Sequence, residues 1–364
     1  MSENQRELGK VTEEPFEIDR ENVRAQISKT LTRYPHFKEF YGDRIESRLE
    51  ESDWLDCDLV GYLCRPSSTL IPEVERQLKA LREDAQAYQI FRMKGDKDTK
   101  LSRVLPLMVE MKTYRFLKAE GFVDIKMLPE SNVVKVPDFS ANLNGRPCFV
   151  EAKTITFPGP ICELLWNSIA IYRILITPPS IFLNVTVSED LEKGDVYHNL
   201  DKKSFHRFLF GEFEKFFAQG TLLKDIVSDV PQQMLGENKG GHQPRLKISG
   251  NSSEWDSLSL GWDQGWREDS EQFEIDLIMG FGRQYFGKLK EALTQIREYA
   301  QSKSLNISQY TAMPMIYWLN EGVPGIINYR EDISRLANAI NKGLPSYCPI
   351  ISAVYLNDPS GFQS

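Results

Sequence analysis

Residues 133–155 read VVKVPDFSANLNGRPCFVEAKTI: two β-type runs, Val133 to Leu143 and Arg146 to Ile155, on either side of Asn144-Gly145. Asn-Gly between two such runs is a strong signal for a two-residue type I′ turn, because both positions tolerate positive φ. Counting outward from that turn sets Asp138 directly opposite Glu151, with Cβ atoms ~5 Å apart. Facing carboxylates repel and weaken a hairpin unless positive charge lies between them, and a divalent cation with oxygen ligands meets that need. Strand alternation puts Lys153 on the same face as Glu151. Two acids and an ammonium then converge, a set suited to phosphodiester hydrolysis. A metal would polarise the phosphoryl oxygen and acidify a bound water, while the lysine orients that water and offsets transition-state charge.

The flanking text supplies helices and further strands. Before the hairpin, a helix is predicted from Leu105 to Glu120, stopped by Gly121, and a β-type run from Phe122 to Met127. On a helical wheel Val104, Leu107, Met108, Met111, Tyr114 and Leu117 form one apolar arc, and Glu110 falls inside it, where a carboxylate needs a partner. Far downstream, Tyr285 to Lys303 reads as a helix whose apolar arc, Leu289, Ala292, Leu293, Ile296 and Ala300, lies beside a stripe of Lys288, Gln295 and Tyr299. Strands are expected at Met315 to Leu319 and Ile350 to Leu356, with Ile333 to Lys342 helical between them. Residues 16–91 read as helical. The stretch 157–282 is mixed: a β-rich run at Ile181 to Val187, an aromatic helix at Ser204 to Phe217 whose spacing favours a core face, and a strand at Arg245 to Ser249.

Pro137-Asp138 followed after a short hairpin by Glu151-Ala152-Lys153 resembles the signature of the PD-(D/E)XK nuclease superfamily. The resemblance implies an α/β (α+β) fold, with a restriction-endonuclease-like αβββαβ core around a mixed sheet. It also implies that Asp138, Glu151 and the Ala152 carbonyl hold Mg²⁺, with Mn²⁺ as a substitute, that Glu110 is an outer or additional ligand, and that Lys153 positions the attacking water. Gln295 and Tyr299, four apart on one helix, are similar to the Gln-x-x-x-Tyr element of the RecB-type branch, which implies that Lys288, Gln295 and Tyr299 contact or brace the nucleic-acid backbone. The interval from Lys153 to Gln295 is far longer than in that branch and requires a large insertion. The domain reading is a helical region at 1–100, a nuclease core at 101–156 and 283–364, and an insertion at 157–282 for substrate selection or regulation. The expected activity is Mg-dependent hydrolysis of DNA by an endonuclease of restriction or defence type. A catalytically silent binding or scaffold protein on the same fold, and an RNA-directed nuclease, stay open as alternatives, as does a homodimer.

Charge and composition bound these readings. The net charge of -8 argues against a chain that coats itself in nucleic acid. Lys and Arg outnumber Asp and Glu in 92–156, by 12 to 8, and in 283–303, by 5 to 2, so phosphate contacts are expected from those two stretches. Glu254 to Asp276 holds eight acids and one arginine, reads as an exposed segment, and with Trp255, Trp262 and Trp266 is a candidate surface for a protein partner. The most apolar stretch, Leu164 to Val187, is broken by Asn167, Arg173 and Pro178-Pro179, short of the ~20 residues of a membrane span. No signal-peptide run opens the chain, and five cysteines without a CxxC pair fit reduced thiols, so a cytoplasmic location is expected. Four scattered histidines do not suggest zinc, and no P-loop or G-x-S-x-G occurs.

Overall fold

The structure, a computed structural model, describes residues 19–65, 70–95, 101–129, 131, 133–156, 160–175, 182–188, 191, 196, 199–218, 226–235, 244–251, 258–263, 270–319 and 355–357. The expected helix at Ile333 to Lys342 lies outside them. Helices α1 (Arg20–Leu31), α2 (Pro35–Glu50), α3 (Asp58–Cys64), α4 (Leu70–Leu81) and α5 (Ala85–Gly95) make the N-terminal part helical. Asp19 starts α1 by accepting hydrogen bonds from the Glu21 and Asn22 amides, and Pro35 fills the first position of α2, where a missing N–H costs nothing. Ile27, Leu31 and Phe37 are buried, as their spacing predicts.

Helix α6 spans Leu101–Ala119, four residues longer at its start than expected, so Pro106 sits inside it. Val104, Leu107, Met108, Met111 and Leu117 are all buried. The helix ends at Gly121, whose φ of 79° lets the Phe122 amide reach the Leu117 carbonyl at 3.0 Å and the Gly121 amide the Lys118 carbonyl at 3.2 Å.

Strands β1 (Val123–Met127), β2 (Phe139–Leu143) and β3 (Arg146–Thr156) follow, with Asn144 and Gly145 at φ 53° and 79° in the turn. The β2–β3 register runs from Leu143↔Arg146 to Phe139↔Val150, the register the turn dictates. The first run of the hairpin is shorter than its β-type text. Val133 to Pro137 are not strand, and Val133 is 91% exposed. The Ser131 hydroxyl accepts from the Val133 and Val134 amides, and Pro137 has no amide to give a ladder.

After β3 come α7 (Pro160–Leu175), β4 (Phe182–Ser188), α8 (Lys202–Ala218), β5 (Ile226–Asp229), β6 (Arg245–Asn251), β7 (Leu258–Asp263), α9 (Ser270–Ser302), β8 (Thr311–Leu319) and β9 (Tyr355–Asn357). The chain is thus a mixed helix-and-strand, α+β protein, with two sheets among the described residues. The first has the order β1-β2-β3-β8-β9: its β1–β2–β3 part is antiparallel, and β8 runs parallel to both β3 and β9. The second has the order β5-β6-β4-β7 and lies within the expected insertion. The apolar stretch from Leu164 divides into α7 and β4. The acidic segment Glu254 to Asp276 contributes β7 and the start of α9. Helix α9 begins 15 residues before the expected start at Tyr285. Among the described residues no helix is long and apolar enough to cross a membrane.

Alternation along β3 separates two cores. Cys148 and Val150 join Met313, Met315 and Tyr317 of β8 in a large cluster with α6, and Thr113 of α6 meets the Tyr317 hydroxyl at 2.8 Å. Phe149 joins Ala312, Ile296 and Ala300 in a small cluster under α9. The large cluster continues through the N-terminal helices, α7, the aromatic face of α8 and one face of the second sheet, so the core does not part at 100 or 156. The aromatic residues Phe205, Phe210, Phe213 and Phe216 of α8 are buried in it. A buried ion pair, Glu73–Lys112 at 2.8 Å, also ties α4 to α6.

A close joint lies between α3 and α7. A Cβ placed on Gly61 would stand 2.2 Å from the Asn167 Cβ, so the helices touch backbone to side chain there. Beside that contact the buried Arg65 guanidinium meets Glu163 at 2.9 Å, and Tyr62 donates to the same carboxylate at 2.5 Å. Gly61→Ala is expected to lower stability by about 3 kcal/mol through overpacking. A urea unfolding curve with an unchanged slope and a lower midpoint would show it; an unchanged midpoint would contradict so close a contact.

Candidate active site

The hairpin ends in an exchange of side-chain-to-backbone hydrogen bonds. One Asp138 oxygen accepts from the Ala152 amide at 2.8 Å, and one Glu151 oxygen accepts from the Asp138 amide at 3.1 Å. The Asp138 carbonyl accepts from the Leu128 amide at 2.9 Å, which holds the strand end against β1. Both carboxylates lie on the α9 side of the sheet, because Phe139 and Val150 beside them point to the other core. In a strand a residue's amide and carbonyl project to the same edge, so the Ala152 carbonyl also points toward Asp138.

Lys153 stands on this face among three groups of α9 and β3. Its Nζ is 2.7 Å from Glu151, 3.1 Å from Glu291 and 3.3 Å from the Gln295 side-chain oxygen. Gln295 turns its amide nitrogen to the Val136 carbonyl at 2.7 Å, and so braces the segment entering Asp138. Glu291 escapes a sequence reading. It lies on the stripe of Lys288 and Gln295, but a helix pattern shows only its i,i+3 partner Lys288, 3.2 Å away, and not its contact with Lys153. Tyr299 sits edge-on to Phe149 with ring centres 5.2 Å apart, in the small core, so its part is to anchor α9 to β3. Glu110 lies apart in an ion pair with Lys94 at 2.6 Å. Among the described residues no group of three or more His, Cys, Asp and Glu converges as a metal cluster.

Burial, and next the charge of Asp138, push the Glu151 carboxyl up to about 8 from an ordinary 4.5. Burial alone would lower the pKa of Lys153, but Glu151 and then Glu291 outweigh it and raise it. Glu291, despite partial burial, is held below the usual range by Lys153 and Lys288. Ionised Glu151 and Glu291 thus favour the charged ammonium. The site holds two close carboxylates facing one lysine.

The remaining candidate groups fall elsewhere. His36 meets Glu75 at 2.6 Å, and His206 is buried against the Ser168 hydroxyl at 2.7 Å, so both are structural. Cys57, Cys64 and Cys148 are buried thiols. Of the acidic segment, Trp255 and Trp266 lie outside the described residues. Comparison of the chain with family models, with curated proteins and with solved structures finds no match.

A raised carboxyl pKa stabilises the fold below the unfolded value and loses that contribution as pH climbs through the folded one. In EDTA, the protein is expected to lose stability between pH 4.5 and about 8 on account of Glu151. Glu151→Gln removes this loss, so its urea midpoint relative to wild type rises across that window. A constant difference would show that Glu151 titrates normally.

Proposed function

We propose that this chain is a divalent-cation-dependent nuclease that hydrolyses phosphodiester bonds of DNA. The observation that carries the reading is the convergence on one sheet face of Asp138, Glu151 and Lys153, with the lysine held from α9. With α7 to β7 set aside as the expected insertion, the remaining order α6, β1, β2, β3, α9, β8 supports it, since it is the αβββαβ order that the resemblance implies.

The donor set fits a hard cation. Two carboxylates and a strand carbonyl offer oxygen ligands, and Mg²⁺ keeps several waters and is often bound by only one or two carboxylates. The proton that Glu151 retains to about 8 is the sign of positive charge wanting at the pair. Asp138, Glu151 and the Ala152 carbonyl would hold Mg²⁺ or Mn²⁺, which supplies Lewis-acid polarisation of the phosphoryl oxygen and a more acidic water.

The chain's own residues do the rest. Lys153 presents a fixed ammonium beside the acids, where it orients a water and offsets charge on the phosphoryl oxygens. Gln295 holds Lys153 and the Val136 carbonyl together, and so sets the lysine relative to Asp138. Glu291 keeps Lys153 in place when Glu151 turns to a cation. Lys288 sits on the open side of that stripe, within reach of a phosphate once it leaves Glu291. The basic balance of 92–156 and 283–303 supports phosphate contacts around this face, with affinity that falls as salt rises.

Supercoiled plasmid incubated with Mg²⁺ or Mn²⁺ is expected to be nicked or linearised, and EDTA to stop it. Lys153→Ala should lose at least about 100-fold in rate, the scale of one transition-state donor. Gln295→Ala keeps every reacting group and should lose less. Equal cutting by wild type and Lys153→Ala would remove the hairpin as the site. Cleavage of single-stranded RNA but not of plasmid would move the substrate to RNA.

A further inference from the structure

A cavity of about 240 Å³ opens between α1, α3 and the first turn of α4, and no part of the hairpin site lines it. Its walls include Lys29, Arg33 and Arg65, with Tyr34 and Tyr62, and no acidic side chain. Arg65 is only 6% exposed and forms the floor, its guanidinium fixed by Glu163 at 2.9 Å and lying over the Tyr62 ring at 4.9 Å. Lys29 and Arg33 are exposed at the rim, and among the described residues neither has a carboxylate within ion-pair distance. Lys29 complements the C-terminal end of the α1 dipole, but that accounts for neither arginine. The first turn of α4, through Ile71 and Pro72, brings the positive end of a 12-residue helix to the same space.

Charge and size together restrict what such a space accepts. Three cations against the one carboxylate of Glu163 leave two positive charges, the complement of a phosphomonoester at neutral pH, which carries about -1.5 to -2. A carboxylate ligand would leave one of them uncompensated. Guanidinium groups suit phosphate oxygens by their forked donors. The volume lies below the ~300 Å³ at which pockets begin to take drug-sized ligands, so what it encloses is a phosphate with little more than a sugar or one ring, and the rest of a larger ligand extends past the rim.

We propose that this cavity binds a small phosphomonoester, its phosphate among Lys29, Arg33 and Arg65 and its attached sugar or ring against Tyr34. The site rests on the cavity alone and stands or falls separately from the nuclease reading. Such a phosphate has two sources, a free sugar phosphate or mononucleotide and the 5′ end of a nucleic-acid strand.

The test uses the full chain in EDTA, with thermal melting and calorimetric titration against ribose 5-phosphate, AMP and adenosine at millimolar concentration. The two phosphomonoesters are expected to bind and to raise Tm, and adenosine to do neither. Lys29→Ala with Arg33→Ala, both at exposed positions, should weaken Kd at least about tenfold, the effect of losing one charge-assisted hydrogen bond. A 5′-phosphorylated trinucleotide and its 5′-hydroxyl counterpart identify the source. Preference for the phosphorylated strand over AMP assigns the pocket to a strand end, and preference for AMP assigns it to a free metabolite. Binding of adenosine equal to AMP, undiminished affinity in the double variant, equal shifts with sulfate at matched ionic strength, or no binding of any phosphomonoester would each overturn the proposal.

Discussion

Two carboxylates are pinned opposite one another at the open end of a hairpin, and the surrounding structure is arranged to make that tolerable. Each acid gives one oxygen to a backbone amide of the facing strand, which holds the pair together. Their repulsion is answered from β3 and α9, where Lys153 is gripped by Glu151, Glu291 and Gln295. Removing any one of these grips leaves the others to carry a charge in a half-buried place, where unpaired groups are costly. The sheet contributes by alternation: Phe149 beneath α9 and Val150 against α6 fix which face the acids take.

The hairpin was legible because its register is decided by two adjacent residues. Positive φ at Asn144 and Gly145 leaves one pairing, and that pairing places Asp138 against Glu151 without further information. The apolar arcs of α6 and α9 were legible for the same reason, as local periodicity. Glu291 was not, because its contact with Lys153 joins residues far apart in the chain, and its local pattern is that of any surface ion pair. Nor was the end of the first strand legible at Val133 to Pro137. There a serine side chain and a proline compete with the ladder, which β-propensity does not register. Helix α7 escaped notice because Asn167 interrupts its apolar text. In the fold that asparagine is buried against Gly61 and Arg65.

The N-terminal helices and the second sheet are fused to the first sheet and are not appended to it. Helix α7 follows β3 in the chain and is clamped to α3 by Arg65 and Glu163, so the element after the strand that bears Glu151 and Lys153 sits in a closely packed joint. Glu73 and Lys112 make a second bond between the N-terminal helices and α6. The sheet face with the acids therefore has rigid support on its far side, which is what positioned polar groups need.

The parallel pairing of β3 with β8 has a consequence for biosynthesis. The two acids meet across a two-residue turn, and so early in translation, whereas Gln295 lies 142 residues beyond Lys153 and the partner strand lies further still. Closing so long a loop is entropically slow, and β3 has an unpaired edge until β8 arrives. A ribosome-bound chain that has made only the hairpin holds its acids together but has only Glu151, and neither Glu291 nor Gln295, to seat Lys153. The site is complete only when the whole intervening segment and α9 have emerged.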